Sequence, residues 1–357
     1  MSDPRAIEAL IETDAVVIGA GPVGLFQVFE LGLLEMRCHV VDSLPGPGGQ
    51  CVELYADKPI YDIPGTPACT ARELIHRLLL QIAPFDAQFH FGHQVDVLQR
   101  LDDGRFQIET SKGLRLVAKT VVIASGVGSF QPRRLKVDGL DAFNDTQVFY
   151  SDAEAHAFAG QHVLVVGDGD AALECAQRLV EPGPHRVAEV TLMHRRDEFK
   201  AAPDTIARIT QLRATHQLRF IAAQATGFEH VDGRLTALIA MASDGSARAV
   251  PVDAVIVLTG LSPKLGPIAD WGLALARKQL VVDTEKFETS EPGIFAVGDV
   301  NTYPGKKKLI LCGFHEAALA AFGAAAHVFP GKAVPLEYTT TSPRLLRALG
   351  RAGTPVR

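Results

Sequence analysis

Sulfur is scarce in this chain, and local spacing pairs none of it. Five cysteines stand among 357 residues, at Cys38, Cys51, Cys69, Cys175 and Cys312, and no two form a C-x-x-C pair. That spacing is the usual build of a redox dithiol, so its absence argues against dithiol–disulfide exchange. The odd count gives no disulfide framework either. Cys38 and Cys175 fall in an expected strand and helix, where a free cysteine serves as a small core residue. Long hydrophobic runs are missing too: the longest, residues 317–326, is alanine-rich and too short to span a bilayer. The first ten residues are charged and have no apolar centre, so no secretory leader is expected. Nor is positive charge in excess. A net charge of −6 gives no global attraction to nucleic acid, although a local basic docking patch is compatible with it. The expectation is a soluble, cytoplasmic chain, long enough at 357 residues for two domains with full cores.

Glycine, by contrast, is plentiful, and part of it is registered in two runs. GAGPVG at 19–24 follows the apolar stretch AVVI at 15–18, and GDGDAA at 167–172 follows VLVV at 163–166. In each, a buried parallel strand should turn through glycines into a helix whose first N–H groups can hold a pyrophosphate. One such run is weak evidence. Two of them, on the order of 150 residues apart, read as a domain duplication and point to two-nucleotide proteins, chiefly flavin reductases.

The strand after each run assigns the nucleotides. The strand CHVVD at 38–42 ends in Asp42, roughly twenty residues beyond the first glycine. A carboxylate there accepts from adenosine ribose hydroxyls and repels a 2′-phosphate. The matching strand VTLM at 190–193 ends in His194, Arg195 and Arg196, which suit a 2′-phosphate. A charge run at a strand end is commonly a solvated edge; its register against the glycines favours the phosphate. The reading is FAD at Gly19, Gly21, Gly24 and Asp42, and NADPH at Gly167, Gly169, Ala172, His194, Arg195 and Arg196.

Each unit is closed by a strand ending in small residues, TVVIASG at 120–126 and AVIVLTG at 254–260. Residues 89–117 and 218–251 alternate and carry the turns Asp103–Gly104, Asp232–Gly233 and Asp244–Gly245, as inserted meanders would. The chain then returns to its first domain through a strand at 289–300 and a helix from about Gly313 to Phe329. The fold class is α/β, with two Rossmann-like, three-layer ββα domains, the second inserted in the first. The expected boundaries are 1–131 and 289–334 for the FAD domain and 132–288 for the NADPH domain. A tail at 335–357 holds Tyr338 and a short helical pattern from Pro343 to Leu349.

The chain resembles the thioredoxin-reductase-like class of ferredoxin/flavodoxin–NADP+ reductases, collinearly over nearly its whole length. The most specific pieces are GGQ (48–50) with Leu54 and Tyr55, IYD (60–62), HRRDEF (194–199), LGP (265–267) with Trp271 and Gly272, and GDV (298–300) with YPGK (303–306). Thioredoxin reductases share the fold, the fingerprints and the basic segment, and place a C-x-x-C just before the second fingerprint. Here residues 148–152 read VFYSD, without the thiolate that must attack a disulfide.

The resemblance implies a ferredoxin–NADP+ reductase that uses FAD and NADPH. A hydride passes to flavin N5 and two single electrons go on to ferredoxin or flavodoxin, with no side chain acting as acid, base or nucleophile. It implies that Asp42, where glutamate is commoner, binds the FAD ribose. Gln50 lines the flavin, Tyr55 stacks on it, Val95 packs by the adenine and Phe130 lies near the ring. Asp299 meets the ribityl chain or the pyrophosphate, and the helix at Gly313 aims its positive end at the flavin. Tyr338 stacks on the opposite face with Thr340 beside it, in relatives on the other subunit's flavin, which implies a homodimer. Three departures stand out: Asp168 and His315 where glycine is usual, and Lys200 where arginine is common. The run Lys306, Lys307, Lys308 reads most simply as a solvated turn, with docking of an acidic ferredoxin as the alternative. Rival readings are an NADPH-dependent flavoenzyme with another acceptor, such as a quinone or ferric chelate, and a non-catalytic flavin or NADPH sensor. A flavin monooxygenase lacks its linker motif here, and no metal is expected.

Overall fold

A computed structural model describes residues 10–151, 155–183 and 186–349, apart from the side chains of 129–131, 155 and 261–263. The chain divides into two compact units, Met1–Ser129 with Lys264–Arg357, and Phe130–Pro263.

In the first unit strand β1 (Ile11–Ile18) is central, because Ala15, Val16 and Val17 have apolar side chains for both faces of the sheet and are fully buried. It lies parallel to β2 (Cys38–Asp42) on one side and to the strand Arg115–Ile123 on the other. The strand Gln88–Phe91 adds beyond β2. Arg115–Ile123 serves two layers: its first half pairs antiparallel with Phe106–Thr110, and its second half parallel with Ile294–Ala296. Helices α1 (Pro22–Leu33), α2 (Gln50–Tyr55) and α3 (Ala71–Ile82) belong to this unit. A capping box fixes the start of α3, where Thr70 and Glu73 each accept the other's backbone N–H.

The second unit is centred on the strand His162–Val166, parallel to Glu189–His194 and to Ala254–Val257. Its period of two sorts the core. Leu164 and Val166 face a cluster with the antiparallel meander, whereas Val163 and Val165 face one with α4 (Asp170–Val180) and α5 (Pro203–Ala214). Each such buried aliphatic contributes about 1.5–3 kcal/mol. The meander strands are Gln224–Val231, Arg234–Met241 and Ala247–Pro251, with Asp232 and Gly233 both at positive φ in the first turn.

The second crossing differs from the expectation: the chain re-enters the first unit at Lys264, ahead of Glu288. Leu273, Leu280, Val282 and Phe287 all join the first unit's core, and the Trp271 indole N–H donates to the Asp96 carbonyl at 3.2 Å. The two ends of the first unit's chain meet closely. A Cβ added to Gly128 would lie 2.1 Å from the Lys264 carbonyl oxygen.

Helix α6 (Ile310–Val328) begins ahead of the expected Gly313 and buries an alanine face at Ala317, Ala320, Ala321, Ala324 and Ala325. By length and composition alone it could cross a membrane; here it is a core helix that carries a buried charge, Glu316. Helix α7 (Pro343–Ala348) lies in the tail, as the helical pattern predicts.

Candidate functional site

In the first unit several separate segments converge at the carboxyl ends of the parallel strands. The glycines of 19–24 are required by contact. A Cβ on Gly19 would lie 2.5 Å from the Ala124 carbonyl oxygen, and one on Gly24 would lie 1.9 Å from that of Gly19. Only glycine lets α1 start this close to the strands. The turn at 46–49 docks on it: the Gly48 N–H donates to the Ala20 carbonyl at 2.9 Å, and a Cβ on Gly49 would sit 3.1 Å from the Gly21 Cα. Helix α2 starts there, and the Gln50 side-chain oxygen lies 3.9 Å from where a Cβ of Gly126 would be.

Asp42 is 9% exposed and tied to the same turn. Its Oδ2 accepts the Ala20 N–H at 2.6 Å and its Oδ1 the Leu44 N–H at 2.8 Å. Burial pushes this carboxyl up, against the pull of both N–H groups. A carboxylate has about four lone-pair positions, so two bonds leave room for ribose hydroxyls. The His93 N–H donates to the Asp42 carbonyl, which brings the buried Val95 beside the end of β2. The side chain of Phe130 lies outside the described residues.

Tyr55 closes α2, half-buried, its hydroxyl donating to Cys51 Sγ at 3.3 Å and pushed up by burial. It borders a cleft of about 530 Å³ whose walls include Lys58, Ile60, Tyr61 and Lys308. Asp299, in a turn where Gly298 has φ +79, stands near enough to Tyr55 to act on it electrostatically. Burial pushes the Asp299 carboxyl up, and Lys308 and Lys306 pull it down. The first turn of α6 meets this turn and α1 together: a Cβ on Gly313 would lie 2.4 Å from Val23 and 3.4 Å from the Gly298 Cα.

Behind the turn lies a residue that the sequence reading missed. Glu316 is fully buried and accepts from the Gly298 N–H at 2.7 Å, Asn301 Nδ2 at 2.9 Å and Tyr303 Oη at 2.9 Å, and pairs with Lys306. Lys306 is therefore no part of a solvated turn: its side chain is 7% exposed and also donates to the Gly298 carbonyl. The YPGK motif held the signal, since its Tyr303 and Lys306 both serve Glu316. His315, one residue earlier, is exposed and packs edge-on against Phe287.

Five buried side-chain polar atoms lack a partner among the described residues, and the one beside Gly19 is Ser125 Oγ, at the end of Arg115–Ile123. An orphan hydroxyl costs about 1–3 kcal/mol, which a polar ligand seated there offsets. Together with the glycine cradles, it fits a dinucleotide.

The tail is not brought to this cluster. Tyr338 is 72% exposed, and Thr340 is exposed in the turn that the Thr341 N–H closes on the Tyr338 carbonyl. Arg344 pairs with Glu35 at 3.6 Å, past the far end of α1.

The second unit repeats the first motif with different chemistry. A Cβ on Gly167 would meet the Leu258 carbonyl oxygen at 2.4 Å and the Ala172 Cβ at 2.6 Å, so this close approach again requires glycine. Arg195 and Arg196 are exposed, and Arg196 lies 3.8 Å from Glu198. His194 turns inward, its Nδ1 3.1 Å from the Arg196 carbonyl oxygen and its Nε2 3.5 Å from Asp168 Oδ2. Asp168 thus faces the basic segment and not solvent.

Residues 13–319 match the family model described as pyridine nucleotide-disulphide oxidoreductase. The chain is 60% identical over 346 residues to a ferredoxin–NADP reductase of Methylibium petroleiphilum, covering 97% of this chain and 94% of that protein. It is 61% identical over 340 residues to one of Albidiferax ferrireducens, covering 95% and 96%. Among solved structures, a thioredoxin reductase of Lactococcus lactis is 25% identical, with a TM-score of 0.53 over 88% of this chain and 99% of that one. A bacillithiol disulfide reductase of Staphylococcus aureus is 17% identical, with a TM-score of 0.58 over 88% and 99%, a likeness of fold.

Proposed function

The chain belongs to the pyridine nucleotide-disulphide oxidoreductase family, and from that premise we propose that it is an FAD-dependent reductase moving electrons between NADPH and ferredoxin or flavodoxin. The observation that carries this reading is the pair of glycine turns with opposite charge at the following strand end: Asp42 in the first unit, His194 to Arg196 in the second. The names of relatives near 60% identity over nearly the whole chain supply the acceptor. Disulfide reduction by a dithiol is disfavoured, because no two cysteines are spaced as C-x-x-C and Cys38, Cys51, Cys69 and Cys175 are buried.

When bound, FAD would supply the chemistry that links a two-electron hydride donor to a one-electron carrier. The chain's part is binding, orientation and exclusion of water. The first turn of α1 would hold the pyrophosphate, Asp42 the ribose and Asp299 the ribityl side, with Gln50 and Tyr55 against the ring. The start of α6 would lend its positive end. No side chain needs to act as acid, base or nucleophile.

The test monitors ferredoxin-dependent reduction of cytochrome c by the purified yellow protein with NADPH and, separately, NADH. Turnover that prefers NADPH and vanishes without ferredoxin supports the reading. Fast flavin reduction without a ferredoxin-dependent rate moves the acceptor to a quinone or ferric chelate. No turnover even with ferricyanide would leave a sensor.

A further inference from the structure

The carboxylate of Asp168 is built into the cation cluster of the second glycine turn. Its Oδ2 lies 3.5 Å from His194 Nε2 and 4.0 Å from Lys200 Nζ, and its side chain is 24% exposed against 83% for Lys200. Three contacts keep it there. The Lys200 N–H donates to the Asp168 carbonyl at 2.7 Å, Gly169 and Lys200 form a parallel bridge, and Asp170 Oδ1 accepts the Ala202 N–H at 2.7 Å. The glycine turn and the segment from His194 to Ala202 are thus stitched together, with Asp168 between them.

The other carboxylates of the segment are engaged elsewhere. Asp197 makes a two-pronged pair with Arg213 at 2.7 and 2.8 Å, and Glu198 stands by Arg196. Arg195 has no carboxylate partner among the described residues. Asp168 is therefore the anion that an incoming phosphate meets inside the cluster. A like charge within one cluster opposes the ligand, and an attractive site with a built-in repulsion sets its selectivity by the difference of the two.

We propose that Asp168 is a specificity-determining residue of the second nucleotide site: an internal anion that offsets the cations of the 194–200 segment and holds down affinity for a 2′-phosphate. This rests on the reading that the second turn takes NADPH. Asparagine keeps the size and the acceptor oxygen but removes the charge, so Asp168→Asn isolates the electrostatic part.

The experiment titrates the holoenzyme, wild type and Asp168→Asn, with 2′,5′-ADP and with 5′-AMP, which differ only in the 2′-phosphate. It repeats the comparison with NADP+ and NAD+ at low and high salt. The expected result is three- to tenfold tighter binding of the 2′-phosphorylated ligands, with about twofold or less change for the others. The gain should shrink as salt rises. Equal tightening of all four ligands would place Asp168 against the 5′-phosphates and overturn the proposal. Weaker binding of 2′,5′-ADP would make Asp168 a support for His194 and Lys200, which also overturns it. The nucleotide assignment is judged separately: wild type that binds 2′,5′-ADP no better than 5′-AMP removes that reading and the proposal with it. Asp168→Glu, which restores the charge, should return the wild-type preference.

Discussion

Asp42 holds the protein's own backbone with both carboxylate oxygens, and the proposed hold on a ribose is separable from that. Because it accepts the Ala20 and Leu44 N–H groups, Asp42→Ala should destabilise the apoprotein by about 1–3 kcal/mol and also loosen FAD. Urea unfolding of apoprotein and fluorescence of released FAD measure these separately; an unchanged apoprotein midpoint would leave Asp42 with the ribose alone. Gly19, Gly24, Gly167 and Asp42 could be singled out in the sequence by their spacing after apolar runs. The contacts that demand the glycines, such as Ala124 against Gly19 and Leu258 against Gly167, come from the fold. Ser125, Glu316 and the orientation of Asp168 were not legible in the sequence. Each takes its meaning from a partner, or the lack of one, that only the folded chain supplies. Lys306 misled for the same reason: three lysines in a row look solvated until a buried carboxylate claims one.

Two helices carry charges that set how the first unit responds to pH and to mutation. In α1, burial pushes the Glu30 carboxyl up to about 7 from its ordinary 4.5. A folded value above the unfolded one means that stability is fully present below pH 4.5 and is lost as pH rises through 7. Glu30→Gln should therefore be nearly neutral at pH 4 and stabilise at pH 8 by on the order of 2 kcal/mol. Thermal melts across that range check it; a gain independent of pH would sink the idea. In α6, Lys306→Met strands Glu316 without its counter-ion and should cost about 3–5 kcal/mol. Much of that should return in the double variant with Glu316→Gln, read as melting temperature and FAD retention. The strand–turn–helix units were readable from apolar runs and glycines. The segment 264–288 was not, since short irregular strands show no periodicity and declare their unit only by the core they enter.

At the scale of the whole molecule, the tail is anchored at the end of α1 away from its own chain's glycine turn. Arg344 holds Glu35, whereas the glycine turn lies at the other end of α1, about 18 Å away along a twelve-residue helix. That separation, with Tyr338 turned to solvent, keeps the described tail off its own chain's crevice. If Tyr338 shares a flavin face with nicotinamide, Tyr338→Ala should raise the anaerobic rate of flavin reduction by NADPH several-fold and alter the charge-transfer absorbance. Stopped-flow absorbance with neither change would reject that role.

The near-contact of Gly128 with Lys264 has a consequence for how such a chain can be cut and rejoined. A polypeptide that leaves a body and returns at one point can lose everything in between without its remaining ends drifting apart, and a short splice closes so small a gap with little entropic penalty. The first unit is in that sense a detachable module. With 130–263 excised, the remainder keeps the whole of its own core cluster.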